Sequence, residues 1–184
     1  MREAVIDFPT LYTEYRPKIE RYLRRMVGDY DAEDLTQEVF LRISQGLPGF
    51  RGESKLSTWV YRIATNTALD RLRAPNYRRV VDDPAAQGHE AELEGDIAWA
   101  EGEVASPELR LWRKERAECY QDYIEGLPVN YRTVVALSEL EDLAAGEIAD
   151  ILGLSLNVVK TRLHRGRTRL LHELKTHCKA EDWL

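Results

Sequence analysis

The chain of 184 residues contains no run of about 18 apolar residues, so no segment has the character of a membrane-spanning helix. Cysteine is scarce: Cys119 and Cys178 form neither a C-x-x-C pair nor a disulfide framework. The first 20 residues, MREAVIDFPTLYTEYRPKIE, are charged throughout and lack the apolar stretch of a signal peptide. These absences together lead us to expect a reduced, cytoplasmic setting. Catalytic signatures are missing too. There is no Gly-rich phosphate loop, nucleophile elbow or helical H-E-x-x-H. Among the four histidines only His172 and His177 lie near a cysteine, Cys178, in a spacing that suits no standard zinc pattern. That group reads as a helix end, with metal or redox sensing as its alternative. The acids near Asp31 lack a second group for acid–base work. No enzymatic activity, cofactor or metal is expected.

What is present is 43% hydrophobic and 32% charged residues, the balance of a globular protein of one ordinary domain or two small ones. The net charge of -6 is distributed unevenly. Residues 82–108 hold nine acids and no Lys or Arg, which leaves 23 of the 32 acids against all 26 bases elsewhere, a balance of +3. The overall sign therefore does not exclude a nucleic-acid partner.

The same acidic stretch contains Pro84, Gly88, Gly95, Gly102 and Pro107, and shows no sustained helical period. It is read as a flexible linker over 81–108, between an N-terminal domain over 1–80 and a C-terminal domain over 109–176, with a tail over 177–184. In the first block Leu11, Tyr15, Ile19, Tyr22, Leu23 and Met26 recur at helical spacing, as do Leu35, Val39 and Ile43. Leu56, Val60, Ile63 and Thr67 form a third stripe beside Trp59. Helices are likewise expected over 108–125, about 129–141, and twice between 145 and 176. No strand alternation or internal repeat occurs. The fold class is all-α, two small helical domains.

Residues 145–165, AGEIADILGLSLNVVKTRLHR, have the pattern of a helix-turn-helix. Gly153 can take the positive φ of the turn, Ser155 can cap the second helix, and Ala149, Val159 and Leu163 face inward. Lys160, Arg162, Arg165, Arg167 and Arg169 then supply five cations without a carboxylate between 156 and 170. Asn157, Lys160, Thr161, His164 and Arg165 occupy the face that a recognition helix offers to base edges, while Arg162, Arg167 and Arg169 suit phosphates. The bland alternative is a solvated basic helix at a bundle edge.

The first block carries two opposed charge clusters. Residues 29–38, DYDAEDLTQE, are acidic without a base. Asp31 as a helix cap and Asp34 in the first turn explain part of this, but Gln37 and Glu38 extend the polar face toward a basic protein partner. From Phe50 to Val80 there are seven bases and two acids, interleaved with Phe50, Trp59, Tyr61 and Tyr77. Cations with aromatics suit single-stranded nucleic acid. The competing reading makes Phe50 and Trp59 core residues.

DAEDLTQEVFLRI, FRGESKLSTWVYRIATNTALDRLR and the helix-turn-helix resemble the extracytoplasmic-function group of bacterial sigma-70-type sigma factors. The resemblance implies that Asp31, Asp34, Gln37 and Glu38 bind core RNA polymerase, on the coiled coil of its β′ subunit. It implies that Phe50, Arg51, Ser54, Lys55, Tyr61, Arg62 and Asn66 read the promoter -10 element as melted non-template strand. It assigns Ser155, Asn157, Lys160, Thr161, Arg162, His164, Arg165 and Arg167 to the -35 element as duplex. An anti-sigma factor and a role in a stress response are also implied. Asn157-Val158 stands where many relatives have Gly-Thr, so Asn157 is open to base contact or to capping. The acidic linker, on the same resemblance, would run toward polymerase channels built for RNA. A stand-alone helix-turn-helix regulator is the rival reading, binding duplex operator without polymerase.

Overall fold

A computed structural model describes residues 7–74 and 117–177. The acidic linker, Tyr77 and Cys178 lie outside them. Seven α-helices and one 3-10 turn occur among the described residues, with no strand.

Helix α1, Phe8–Val27, starts where the Asp7 side chain accepts the Thr10 N–H and ends at Gly28. Gly28 has φ 83°, and so turns the chain at once into α2, Asp29–Gly46. Asp31 therefore does not cap α2, as the sequence suggested; it sits inside the first turn. A 3-10 turn, Leu47–Gly49, leads through an extended loop to α3, Leu56–Arg73. These three helices pack around Tyr22, Leu23, Met26, Val39, Ile43 and Val60, all fully or nearly fully buried. Helix α3 presents Val60, Tyr61, Ala64, Ala68 and Leu72 to this core, leaving Leu56 and Ile63 half-buried. Small side chains at Ala64, Thr65 and Ala68 let the helices approach closely. Of the expected stripe, Val60 and Thr67 are buried, and Leu56 and Ile63 pack partly buried against the core.

The second block contains α4, Ala117–Glu125, α5, Val129–Glu139, α6, Ala145–Leu152, and α7, Leu156–His177. Gly153 has φ 64° and ends α6, so the turn expected between two helices is present. Ser155 accepts the Val158 N–H at 3.3 Å and caps α7. Val159 and Leu163 face inward onto a core with Tyr120, Ile124, Leu137 and Ile148. Each large side chain buried here contributes about 1.5–3 kcal/mol.

The two blocks do not stand apart. Helix α1 packs on α4 and α5, and α3 packs on α6. Arg132 donates to the Met26 carbonyl at 2.9 Å, and Arg25 pairs with Glu125.

Close packing in the second block depends on Gly166, where a Cβ would lie 2.7 Å from Val135 Cγ2 and 3.3 Å from Tyr131 Cβ. Neither neighbour is the end of a long flexible chain. Overpacking costs about 1–3 kcal/mol against at most about 1 kcal/mol gained in helix propensity. Gly166→Ala is therefore expected to lower stability, as urea denaturation will measure.

Candidate nucleic-acid interfaces

The outer face of α2 is a single stripe. Tyr30, Asp34, Gln37 and Leu41 recur at helical spacing and all are exposed, with Glu38 beside them. Tyr30 is 95% exposed and Leu41 58%, unusual for large apolar side chains. Glu38 holds Arg42 one turn on, at 2.6 Å. Asp31 departs from expectation. It is 7% exposed and its carboxylate accepts from Arg71 of α3, so it faces the bundle rather than a partner. Tyr30 and Leu41 are the members that sequence reasoning missed; an apolar residue at either end of a polar helical face was the available signal.

The second surface is a cleft of about 610 Å3 between the 50–55 loop and α3. Phe50 stacks at a tilt on Trp59, ring centroids 5.1 Å apart, and both rings are half-buried on the cleft wall. Trp59 fits because residue 46 is glycine: a Cβ there would lie 3.0 Å from the indole. Arg51, Ser54 and Arg62 line the same cleft together with Glu53 and Asp150, so cations, acids and a hydroxyl surround an aromatic floor. Gly52, with φ 71°, turns the loop so that Arg51 and Glu53 face solvent. Asn66 is exposed two turns along α3 from Trp59.

Three residues expected on this surface are engaged by the second block. Lys55 donates to Glu147 at 2.8 Å, Arg62 donates to the Asp150 carbonyl at 2.8 Å, and Tyr61 donates its hydroxyl proton to Glu141. Tyr61 is 3% exposed and meets Tyr22 edge-on, with centroids 5.7 Å apart. The Glu141 side chain is itself 3% exposed and receives Arg21 from α1 at 3.2 Å on each oxygen. Burial pushes the Glu141 carboxyl above the usual carboxylate range, against the lowering by Tyr61 and Arg21. Burial likewise raises the Tyr61 hydroxyl, with the Glu141 charge adding to it. Glu147 shifts the other way, lowered by Lys55 and by the Ala144 N–H. The sequence offered a sign of this junction: residues 139–150 contain five acids and no base. Their match to the basic 50–80 stretch lies between segments some 80 residues apart, beyond any local pattern.

The third surface is the outer face of α7. Asn157, His164 and Arg165 are exposed, and Lys160, Thr161 and Arg162 are half-exposed around them. Ser155 is spent on capping. Arg167 corrects an expectation: it turns inward and donates to Glu139 at 2.8 Å and to Ser138 at 3.1 Å. Glu139 is 2% exposed and also accepts from the Tyr120 hydroxyl at 3.2 Å. Helical spacing had placed Arg167 outside, but a buried carboxylate on α5 draws it in. Arg169 is the exposed cation in that part of the helix.

Two family models match the chain, Sigma-70 region 2 over residues 11–78 and Sigma-70, region 4 over residues 117–170. SigW of Bacillus subtilis, an ECF RNA polymerase sigma factor, is 36% identical over 169 residues, covering 91% of this chain and 89% of the relative. The ECF RNA polymerase sigma-E factor of Escherichia coli is 33% identical over 161 residues, covering 87% and 82%. This chain belongs to the extracytoplasmic-function sigma-70 family. It is an alternative sigma factor, directing transcription initiation. Its fold is that of the Bartonella quintana sigma factor RpoE, solved with the anti-sigma factor NepR. The TM-score is 0.66 at 19% identity, over 93% of this chain and 98% of that one. CnrH, solved with the cytosolic domain of CnrY, gives a TM-score of 0.61 at 21% identity, over 92% and 88%. Among the described residues of the sigma factor, no helix is long and apolar enough to cross a membrane.

The Arg167–Glu139 pair yields a prediction. Removing one partner of a buried ion pair costs about 3–5 kcal/mol, whereas replacing both with apolar residues is often neutral. Glu139→Ala is expected to lose stability in that range by urea denaturation, and Glu139→Leu with Arg167→Met to recover most of it.

Proposed function

We propose that this sigma factor works through its three surfaces in one holoenzyme. The α2 stripe of Tyr30, Asp34, Gln37, Glu38 and Leu41 docks on core RNA polymerase, on the β′ coiled coil. The cleft floored by Phe50 and Trp59 takes a base of the melted -10 strand, while Arg51, Lys55, Arg62 and Asn66 follow the backbone and neighbouring bases. Helix α7 reads the -35 element as duplex through Asn157, Lys160, Thr161, His164 and Arg165, with Arg162 and Arg169 toward phosphates. The cleft carries this reading: an aromatic pocket with Arg51 and Arg62 on its walls beside Glu53 and Asp150 suits an unstacked base and its phosphate, and an operator-binding regulator has no use for one. The division into an N-terminal domain over 1–80, a linker over 81–108 and a C-terminal domain over 109–176 belongs to the same proposal. The protein acts in the cytoplasm, is not an enzyme, and is held in check by an anti-sigma factor, the kind of partner found with its Bartonella quintana structural neighbour.

The decisive experiment is reconstituted transcription with core polymerase on randomised -35 and -10 elements. Sequence-selective initiation only when the protein is added supports the reading. Absence of initiation, with retention of duplexes by the protein alone, would favour the stand-alone regulator. Asp34→Lys is expected to abolish polymerase binding in a pull-down while leaving helicity intact, and Leu41→Ala to weaken it about tenfold. Lys160→Ala or Arg165→Ala should cost about 1–3 kcal/mol in -35 binding and relax one promoter position. Arg169→Ala should weaken all promoters alike and reduce the salt slope by roughly one ion.

A further inference from the structure

Glu139 belongs to none of the three surfaces. It ends α5, is 2% exposed, and receives side chains from two other helices. Arg167 of α7 brings Nε to 2.8 Å and Nη2 to 2.7 Å from one carboxylate oxygen, and the Tyr120 hydroxyl of α4 donates to the other at 3.2 Å. Arg167 Nη2 also donates to Ser138 Oγ at 3.1 Å. A planar guanidinium held through two nitrogens is fixed in direction as well as in distance, which an ammonium on a flexible stem is not.

Residue 167 lies where either orientation is open. It follows Lys160 by nearly two helical turns, which returns it to within about 20° of the same line. Lys160 is half-exposed on the recognition face. One turn back from Arg167, Leu163 is 5% exposed and faces the core, whereas His164 is exposed. The position is therefore an edge between core and outer face, and Glu139 decides which side Arg167 joins. The grip acts next to Gly166, where α7 lies directly against Val135 and Tyr131 of α5. With side chains reaching about 5–6 Å from the helix axis, a roll of about 20° shifts a contacting atom by about 2 Å. Hydrogen-bond lengths vary by only about 0.5 Å, so such a roll breaks a base contact.

We propose that Glu139 is a positioning residue for -35 selectivity: through Arg167 it sets the rotation of α7 and keeps one cation off the duplex. The proposal rests on the reading of α7 as the -35 helix. Without the Glu139 charge, the guanidinium turns to water beside His164, in line with Lys160, where it meets a phosphate of any sequence. Base contacts then weaken while a sequence-independent contact is gained. Selectivity falls even though the outer face becomes more basic.

The test uses holoenzyme on promoters with a randomised -35 element and a fixed -10 element. It reads the base preferences at -35 and the salt dependence of binding, with urea denaturation to check that each variant folds. Glu139→Gln keeps the shape and removes the charge. It is expected to flatten the -35 preferences about tenfold, the discrimination carried by one base contact. It should also steepen the salt slope by about one ion. Glu139→Leu with Arg167→Met regains stability and has no cation to release, so its slope should match wild type while its -35 preferences stay flattened. Arg167→Lys keeps the charge without the two-nitrogen grip and should flatten them as well. Wild-type preferences in the stable double variant or in Arg167→Lys would overturn the positioning role and leave Glu139 a stabilising residue only. An unchanged slope in Glu139→Gln would overturn the withholding of Arg167 from the duplex. If Lys160→Ala and Arg165→Ala leave the -35 preferences intact, the -35 reading of α7 fails, and the proposal with it, whatever the Glu139 variants do.

Discussion

One carboxylate joins the two halves of the molecule. Glu141 follows α5 in a turn where Asp142 takes a φ of 53°, and it points away from its own block into the other. There it takes both contacts of Arg21 and the hydroxyl of Tyr61, with almost no exposure to water. A buried charge without partners would cost several kcal/mol, so the position of Glu141 is tolerable only while α1 and α3 supply them. The packing of α3 on α6, and the contacts of Lys55 and Arg62, lie around this one group. A pair of exposed ions would tie the blocks far more weakly.

This arrangement gives the same side chains two uses. Lys55 and Arg62 satisfy the junction and are also cations of the proposed -10 surface. Cations suit both because carboxylate, carbonyl and phosphate oxygens accept the same hydrogen bonds. The α2 stripe and the outer face of α7 lie outside the junction and keep their exposed residues in solvent.

Ion pairs elsewhere, each with a buried carboxylate, are internal struts. Asp31 with Arg71 fastens α2 to α3, and Glu139 with Arg167 fastens α5 to α7. The second strut aims the recognition helix: Gly166 lets α7 lie against α5, and Arg167, next along the chain, fixes its rotation. Asn157, His164 and Arg165 are thereby kept on the outside. These two pairs explain why Asp31 and Arg167 belong to the scaffold of the surfaces and not to the surfaces.

Local chemistry determined much of this protein. Leu11 to Met26 had to form an amphipathic helix, Gly28 and Gly153 had to be turns, and Ser155 had to cap α7, because spacing and backbone freedom act over a few residues. The face of Asp34, Gln37 and Glu38 and the outward Asn157, His164 and Arg165 were legible for the same reason. Periodicity says which way a side chain leaves its helix, and for these it was enough. It failed wherever a charged side chain chose between water and a distant partner. Local spacing placed Arg167 outside and did not anticipate the contacts of Asp31, Tyr61 and Glu141. Their partners lie 28 to 120 residues away. Packing within each block supplies the partners of Asp31 and Arg167, and packing of one block on the other those of Tyr61 and Glu141, so these contacts belong to the tertiary structure alone.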